Sequence, residues 1–347
     1  MFAGGGYPEN VILAIETSCD ETAAAVVAPV EGGSPGHVRV LSNVVSSQIE
    51  IHRRFGGVVP EVASRAHLDA LEAVVGEALD TAGVNPDELT AVAATQGPGL
   101  IGALLVGVSA AKSLALAWNV PYVGVNHMEG HLFATFLEKP DMPLPFVVLL
   151  VSGGHTMIVQ VRGFGDYRLM GATVDDAAGE AFDKVARYLG LGYPGGPVID
   201  RLAQDGDPTA VRFPRGMLQQ GLEFSFSGMK TAVINYVRRH PETSNEDLAA
   251  SFQAAVVDVL VTKTLRAAKK SGARGAAIGG GVAANSQLRT QFAEACEAAG
   301  LDYLVPDRSF CTDNAAMIGA AGLWRLQHDG PTGFDGGAIP SLALVSP

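Results

Sequence analysis

Short apolar runs rich in β-branched residues alternate with stretches of helical periodicity along the first third of the chain. Such runs predict strands, and the periodic stretches predict helices. The predicted strands are residues 11–15, 23–27, 38–47, 89–94 and 121–125, and the predicted helices are residues 60–82 and 100–117. A strand, a helix and a further strand follow one another from residue 89 to residue 125, which predicts an α/β fold.

The second part of the chain repeats the hairpin with which the first part begins. Strands are predicted at residues 145–151 and 156–161, and the glycine-rich turn 152–155 joins them. The polar segment 16–22 has the equivalent place between the first two strands. Two such hairpins, one in each half, predict a duplicated architecture whose tips grip phosphate groups.

Four further helices are predicted after the second hairpin. They are residues 175–189, 244–271, 282–297 and 315–327. We interpret Asp175 and Asp176 as the N-cap of the first of these helices and Ser244 as the N-cap of the second. The glycines at 279–281 lie between a short predicted strand and the third of these helices. Their backbone and the helix N-terminus can therefore contact a phosphate or nucleoside, and Asn285 can contact the polar edges of that ligand.

Length and composition indicate a two-domain protein made in a reducing compartment. A chain of 347 residues with 48% hydrophobic residues exceeds the size at which single cores usually stop growing. Its three cysteines, Cys19, Cys296 and Cys311, are widely spaced and form no Cys-x-x-Cys pair, which argues against a disulfide framework or a zinc ribbon and indicates the cytoplasm. The apolar stretch 100–117 contains Lys112 and several glycines and serines, so a buried helix explains it better than a membrane span.

The net charge of −12 disfavours a general nucleic-acid binder, because phosphate neutralisation supplies most of the affinity of such proteins. A polynucleotide partner would need a local basic patch or a second subunit. The basic and aromatic segment 212–239 is either an RNA-contacting surface or a plain helical face. The loop 52–54 with Arg65 and His67 is either a cationic contact surface or a solvated one.

Two histidines, His127 and His131, stand four residues apart in a segment that follows a predicted strand. If the segment is helical, both imidazoles lie on one face and can bind one metal ion; the alternative is a pair of ordinary histidines. Glu129 is rotated by about 200° from His127 on a helix, so the general base of a zinc protease would be on the wrong side.

Acidic residues near the predicted helix starts and hairpin tips are further candidates. Asp20 and Glu21 at the first tip can hold a cation or handle a proton, or they form an ordinary polar turn. Asp313 either caps the last helix, as Thr312 could, or completes a site of two histidines and one carboxylate with His127 and His131.

Seven motifs in a fixed order resemble one known family. They are IETSCDET (15–22), GPG (97–99), HMEGH (127–131), LVSGGHT (150–156), FSGMKT (226–231), GGGVAAN (279–285) and TDN (312–314). Together they are similar to the bacterial TsaD family, the tRNA N6-adenosine threonylcarbamoyltransferases, once misnamed O-sialoglycoprotein endopeptidases. The resemblance covers about residues 11–323.

The resemblance implies an actin/Hsp70/sugar-kinase-like fold with two similar domains around a central nucleotide cleft. We expect a disordered tail at 1–10, one domain formed by 11–125 with 312–347, and a second domain at 126–311. By the same resemblance, one divalent ion per subunit, Fe²⁺ ahead of Zn²⁺, would be bound by His127, His131 and Asp313. The residues implied for the adenylate substrate are Leu150, Val151, Ser152, Gly153, Gly154, Asp183, Gly196, Asp200 and Asn285.

The reaction implied by the resemblance is transfer of a threonylcarbamoyl group from threonylcarbamoyl-AMP to N6 of the adenosine immediately 3′ of the tRNA anticodon. We assign proton handling to Asp20 or Glu21. The implied partners are tRNA, a paralogous pseudo-enzyme subunit and a small ATPase subunit. A sugar or acetate kinase, a metalloprotease and a non-catalytic nucleotide-sensing scaffold are the competing functions, and the histidine pair and the misplaced Glu129 argue against the first two.

Overall fold

A computed structural model describes residues 10–33 and 36–345 and divides them into two compact units. Residues 10–52, 58–140 and 313–345 form the first unit, and residues 53–57 and 141–312 form the second. The tail predicted at 1–10 lies, apart from Asn10, outside the described residues. The boundary predicted after residue 125 falls earlier than this division, because the helix that begins at His127 packs against elements of the first unit.

Ten strands and eleven helices are present in the described residues, besides three short 3₁₀ turns. The strands are β1 (Ile12–Glu16), β2 (Glu21–Pro29), β3 (Val38–Ser47), β4 (Ala91–Gly97), β5 (Tyr122–Asn126), β6 (Phe146–Val151), β7 (Thr156–Gly163), β8 (Asp166–Ala172), β9 (Gly275–Gly279) and β10 (Asp302–Leu304). The helices are α1 (Ile49–Arg53), α2 (Pro60–Ala82), α3 (Ile101–Ala117), α4 (His127–Glu138), α5 (Ala178–Tyr188), α6 (Gly195–Leu202), α7 (Ser227–Arg239), α8 (Asn245–Ser271), α9 (Ser286–Ala298), α10 (Arg308–Cys311) and α11 (Ala315–His328).

A mixed five-stranded sheet with the order β3-β2-β1-β4-β5 forms the centre of the first unit. β1, β2 and β3 pair in antiparallel fashion, whereas β4 and β5 run parallel to β1 and therefore need crossover connections. Ala14 of β1 lies between Ala25 of β2 and Ala93 of β4. Every residue of β1 is buried, which explains the continuous apolar run in the sequence.

Helix α11 lies close against this sheet because two glycines face it. A Cβ at Gly319 would stand 2.8 Å from a methyl group of Val27, and a Cβ at Gly322 would stand 2.8 Å from that of Ala93. Real Cβ contacts are not this short, so larger residues would push α11 away from the sheet. This helix also contacts α4, and its position therefore fixes part of the candidate site described below.

The second unit repeats the topology of the first. Its sheet has the order β10-β9-β6-β7-β8, in which β6, β7 and β8 are antiparallel and β9 and β10 are parallel to β6. Counted from the first strand of each unit, the order of strands is the same, 3-2-1-4-5. The predicted α/β class and the predicted duplication are confirmed.

Helix α8 is the central helix of the second unit. By length and composition it could cross a membrane, but 83% of its apolar window is buried inside the protein, as in the core helix of a folded domain. Phe252 on α8 packs edge-to-face against Phe182 of α5, with ring centroids 5.2 Å apart. The predicted cap is confirmed, because the Ser244 hydroxyl accepts a hydrogen bond from the backbone N–H of Asp247.

The predicted cap of α5 is wrong. The N-cap position is Ala177, which provides no side-chain hydrogen bond. Asp175 instead accepts hydrogen bonds from the backbone N–H of Phe226 at 2.8 Å and from the hydroxyl of Ser227 at 2.7 Å, while Asp176 pairs with Lys184 at 2.7 Å. The carboxylate of Asp175 thus stabilises the start of α7, a helix that begins 52 residues later in the chain, which local sequence could not reveal.

Candidate functional site

Helix α4 begins directly after β5 and carries both histidines of the predicted metal site. The side-chain oxygen of Asn126 caps the helix by accepting hydrogen bonds from the backbone N–H groups of Met128 at 2.9 Å and Glu129 at 3.3 Å. Because the segment is helical from residue 127, His127 and His131 lie one turn apart on the same face. Their ring centroids are 4.8 Å apart.

Asp313 lies beside these two histidines, and its neighbour Asn314 caps α11. The side-chain oxygen of Asn314 accepts a hydrogen bond from the backbone N–H of Met317 at 3.1 Å, so the interpretation of Asp313 or Thr312 as the cap is wrong. Asp313 Oδ1 lies 3.5 Å from His127 Nε2 and 3.2 Å from His131 Nε2. The structure therefore brings together the three side chains that the sequence analysis grouped.

The spacing of the three donor atoms suits one transition-metal ion. The atoms all lie within 4.8 Å of one another. Bonds of about 2.0–2.2 Å from histidine and aspartate place neighbouring donors roughly 2.8–3.6 Å apart at octahedral to tetrahedral angles, and both nitrogen–oxygen distances to Asp313 fall in this range. Two imidazoles and one carboxylate are a donor set for iron(II) or zinc that leaves coordination positions open.

Glu16, at the end of β1, contacts His127 on the side of the ring that faces away from Asp313. Its Oε2 lies 2.9 Å from His127 Nδ1 and accepts a hydrogen bond from the Thr95 hydroxyl at 2.5 Å. Glu16 has no exposed surface. A carboxylate in this position holds a proton on Nδ1 and leaves Nε2 as the metal-binding nitrogen.

Glu16 was missed as a site residue by the sequence analysis. It stands 111 residues before His127, and only the fold brings the two together. The available signal was a carboxylate at the end of a wholly apolar strand, where a buried charge needs a partner. The site as a whole lies at the carboxyl ends of the parallel strands β1, β4 and β5, where open α/β sheets usually bind ligands.

The carboxylates make this site attractive to a cation. Burial disfavours the charged form of His127, but Asp313 and Glu16 outweigh that effect and raise the pKa of His127 to about 9. A metal ion that replaced the proton on His127 Nε2 would interact with the same two carboxylates. The donor set, its spacing and its charge therefore all fit a divalent metal.

The first hairpin tip carries Asp20 and Glu21, the residues predicted to handle protons. Burial, the neighbouring Asp20 and the charge of Asp313 raise the pKa of Glu21 to about 9. Glu21 therefore holds a proton at neutral pH and is suited to donate one. The tip is held in place by backbone hydrogen bonds, from Gln48 N–H to the Asp20 carbonyl at 2.9 Å and from Leu100 N–H to the Ser18 carbonyl at 2.8 Å.

His52 and His67 are fully buried, so neither alternative, a cationic contact surface or a solvated one, holds for these two histidines. His67 Nε2 lies 3.1 Å from the Cys19 carbonyl, and its Nδ1 lies 2.8 Å from the Thr22 hydroxyl. Burial lowers the pKa of both histidines and keeps them neutral at physiological pH. Through its contacts with Cys19 and Thr22, His67 holds the hairpin tip in place.

Most of the residues predicted to bind the adenylate lie at the carboxyl ends of β6 and β9 or at the starts of α6 and α9, whereas Asp183 and Asp200 lie within α5 and α6. Leu150 and Val151 are buried in β6, so only their backbone could face a ligand. In contrast, a Cβ built on Gly153, Gly154 or Gly196 would meet no atom within 4 Å. These three glycines expose bare backbone with open space in front of it, which is what a phosphate group requires.

Gly280 lies in the glycine-rich turn 279–281, and its backbone conformation requires a glycine. Its φ is +88°, and a Cβ there would stand 2.6 Å from the Val151 carbonyl oxygen. Because Leu150 of β6 pairs with Gly279 of β9, this turn lies beside the turn that begins at Ser152. The Ser152 hydroxyl accepts a hydrogen bond from the backbone N–H of His155 at 3.1 Å and so closes that turn.

The three remaining predicted side chains hold the helix starts in place. Asp183 accepts a hydrogen bond from the Gly195 N–H at 2.7 Å, and Asp200 accepts one from the Ser286 hydroxyl at 2.7 Å. Asn285 caps α9 by accepting from the Leu288 N–H at 2.9 Å, and its amide donates to Gln253 at 2.6 Å. The side chain of Asn285 thus has a structural role, which the sequence analysis did not foresee.

Comparison with known proteins first defines the fold class. T. kodakarensis HypF aligns with 94% of this chain and 48% of its own, with a TM-score of 0.64 and 14% sequence identity. Component A of the Acidaminococcus fermentans (R)-2-hydroxyglutaryl-CoA dehydratase aligns with 91% of this chain and 97% of its own, with a TM-score of 0.53 and 14% identity. At these identities the likeness concerns the fold alone, and it confirms the actin/Hsp70/sugar-kinase-like class.

Sequence comparison then gives the family. The sequence model of TsaD, tRNA N6-adenosine threonylcarbamoyltransferase, matches residues 39–320. The protein of that name from Symbiobacterium thermophilum is 52% identical to this chain, over 98% of both chains. The one from Moorella thermoacetica is 54% identical, over 97% of this chain and 98% of its own. The chain belongs to the tRNA N6-adenosine threonylcarbamoyltransferase family. It is a tRNA-modifying transferase, as the motif resemblance implied.

Proposed function

We propose that this enzyme transfers the threonylcarbamoyl group from threonylcarbamoyl-AMP to N6 of the adenosine immediately 3′ of the anticodon, in tRNAs that read codons beginning with adenine, and releases AMP. The observation that carries this proposal is that the donor atoms of His127, His131 and Asp313 lie close together at the carboxyl ends of the strands, in a chain that belongs to the family. A second group of bare glycines at the strand ends of the other unit supports an adenylate substrate.

One divalent ion, Fe²⁺ or Zn²⁺, is proposed to bind the Nε2 atoms of both histidines and the carboxylate of Asp313. When bound, the ion supplies a Lewis acid that polarises oxygen atoms of the substrate. The part of Glu16 is to orient His127 by holding a proton on Nδ1, so that Nε2 is the nitrogen directed at the metal.

The adenylate is proposed to bind in the second unit. Backbone N–H groups at Gly153, Gly154 and Gly196 contact its phosphate, since no side chain blocks their approach. Among the residues that the structure describes, Ser286 alone donates hydrogen bonds to Asp200, which leaves acceptor capacity for a ribose hydroxyl. Asp183 and Asn285 act by holding the starts of α6 and α9 in position.

In the proposed reaction, N6 of adenosine attacks the carbamoyl carbon and forms the new carbon–nitrogen bond. The bond from that carbon to the phosphate oxygen breaks, and its electron pair leaves with AMP. N6 loses one proton; we assign its uptake to the carboxylate of Asp20, and the donation of a proton within the site to Glu21. The raised pKa of Glu21 makes it the group that carries a proton between turnovers.

The proposed partners are tRNA, a paralogous pseudo-enzyme subunit and a small ATPase subunit, and the proposed compartment is the cytoplasm. The net charge of −12 supports a need for partners in tRNA binding, because phosphate contacts need cationic side chains. Within the described residues, Cys19, Cys296 and Cys311 form no disulfide, which agrees with a reducing compartment.

The test is reconstitution of the reaction. The purified chain with its partner subunits is mixed with threonylcarbamoyl-AMP and a tRNA that carries the target adenosine, and nucleosides are analysed by mass spectrometry. We expect one AMP released for each modified adenosine. A tRNA with guanosine at that position is the matched control, and modification of it, or AMP release without modification, would contradict the proposal.

A further inference from the structure

Glu129 lies between the two histidines of α4 but points to the opposite side of the helix. With 3.6 residues per turn, its direction differs by about 180° from the mean direction of His127 and His131. The side chain is 1% exposed. Its two carboxylate oxygens accept hydrogen bonds from Nε and Nη2 of Arg325, each at 2.9 Å, which is a bidentate ion pair.

Helix α4 touches α11 between these two sets of contacts. A Cβ at Gly130 would stand 2.7 Å from Ile318 Cδ1, so the glycine allows the two helices to touch. Asp313 comes just before Asn314, the N-cap of α11, whereas Arg325 lies in the last turn of that helix. The two ends of α11 therefore hold α4 on opposite sides, one through the histidines and the other through Glu129.

The guanidinium of Arg325 is itself fixed. Nη1 donates a hydrogen bond to Asp329 at 2.5 Å, and the guanidinium carbon lies 5.0 Å from the centre of the Trp324 ring. Both contacts come from α11, so Arg325 presents its planar fork to Glu129 in one orientation. A lysine could supply the charge but not the two parallel hydrogen bonds.

We propose that the Glu129–Arg325 ion pair is a positioning device that sets the rotation of α4 about its axis and thereby aims both histidine Nε2 atoms at the metal. A rotation of about 20° moves an atom roughly 5–6 Å from the helix axis by about 2 Å, which is a whole metal–ligand bond length. The pair prevents this rotation from the far side of the helix. The inference rests on the metal site proposed above.

The experiment measures Co²⁺ affinity of the metal-free protein by competition with a chelator, together with the visible absorption of bound Co²⁺. Glu129→Gln keeps the size of the side chain and removes its charge, and Arg325→Lys keeps the charge and removes the fork. Asp166→Asn is the matched control, since it removes an exposed carboxylate from another arginine–aspartate pair, Arg162–Asp166, which lies in the second unit. Thermal unfolding of each metal-free variant is recorded in parallel, and binding is measured well below each midpoint.

We expect Glu129→Gln and Arg325→Lys each to weaken Co²⁺ binding about 10- to 100-fold and to change the absorption spectrum. The double variant should bind Co²⁺ no more weakly than the single variant with the larger loss, because both changes remove the same contact. Asp166→Asn should bind as the wild type does.

Affinity and spectrum within twofold of wild type in the two single variants would overturn the positioning role, even if both unfold at lower temperature. Should Glu129→Gln not fold, Arg325→Lys decides the question by the same criterion. A wild-type protein that binds no Co²⁺, or binds it equally well after His131→Ala, would instead overturn the metal site itself, so the two failures are distinguishable.

Discussion

Glu16 Oε2 lies 2.9 Å from His127 Nδ1, and the side chains are 0% and 8% exposed respectively. The strand β1 ends at Glu16, and the helix α4 begins at His127. The contact therefore joins the end of the central strand of the sheet to the start of the helix that follows the edge strand β5. It gives His127 a fixed orientation before any ligand binds.

Glu16→Gln tests this contact. The amide can still accept a hydrogen bond from Nδ1–H, but it lacks the charge that favours a metal on Nε2. We expect Zn²⁺ affinity to fall about tenfold or more. Ser18→Ala is the control, because the Ser18 hydroxyl lies 3.2 Å from the same nitrogen and carries no charge. Equal losses in both variants, measured with a fluorescent zinc chelator, would contradict a special role for Glu16.

His127→Ala and His131→Ala should each abolish bound metal while the fold survives, because each removes a ligand and not a core hydrophobe. Metal content by plasma mass spectrometry and far-UV circular dichroism are the two readouts. His240→Ala, at the exposed end of α7, serves as the control and should keep its metal. Full metal content in the two α4 variants would mean that the histidines are structural only.

Much of the fold follows from local sequence because its signals are periodic and long. The bounds of β3 and α2 agree with the predicted 38–47 and 60–82, since alternation and an i, i+4 pattern persist over ten and 23 residues respectively. β8, β10 and α10 were not predicted. β10 and α10 have three and four residues, too few for a period to show.

The contacts that shape the site could not be predicted in the same way. Glu129 and Arg325 are separated by 196 residues, and their pairing depends on how α4 packs against α11. The helix caps could not be fully predicted either, although a cap involves only neighbouring residues. Thr312, Asp313 and Asn314 can each cap a helix, and only the backbone geometry assigns that role to Asn314.

Gly154→Val should weaken AMP binding without loss of stability. A side chain at this position meets no protein atom within 4 Å, so it occupies space that a ligand would use. Isothermal titration calorimetry with AMP measures the effect, and we expect at least a tenfold loss of affinity from the lost phosphate contact. Gly76→Val, with equally open surroundings on α2, is the control. Unchanged AMP affinity in Gly154→Val would remove this turn from the nucleotide site.

Asn285→Ala should lower stability as well as AMP affinity, because the side chain caps α9. Loss of an N-cap costs about 1 kcal/mol. Asn285→Asp keeps the capping oxygen that accepts from Leu288 but exchanges the amide donor to Gln253 for an anion. If AMP affinity falls in the alanine variant while the unfolding midpoint in urea stays at the wild-type value, the capping role is contradicted.

The raised pKa of Glu21 makes the stability of the metal-free protein depend on pH. Its pKa is 4.5 in the absence of interactions and about 9 in the folded protein. Between these values the folded state holds a proton that the unfolded state has released, so stability falls as pH rises through this window. Urea unfolding at several pH values measures the slope. Glu21→Gln should make that slope less negative, and an identical slope in the variant would contradict the assignment.

The central claim is that His127, His131 and Asp313 form the metal centre of a tRNA threonylcarbamoyltransferase. Asp313→Asn tests it most directly, because the amide has nearly the same shape but lacks the anionic ligand, and α11 keeps its cap from Asn314. The measurement is nucleoside mass spectrometry of tRNA after incubation with the reconstituted complex and threonylcarbamoyl-AMP. We predict that the wild type modifies the adenosine next to the anticodon and that Asp313→Asn reduces the rate at least 100-fold. Wild-type rates in the variant would contradict the metal role of Asp313, and no modification by the wild-type complex would contradict the proposed reaction.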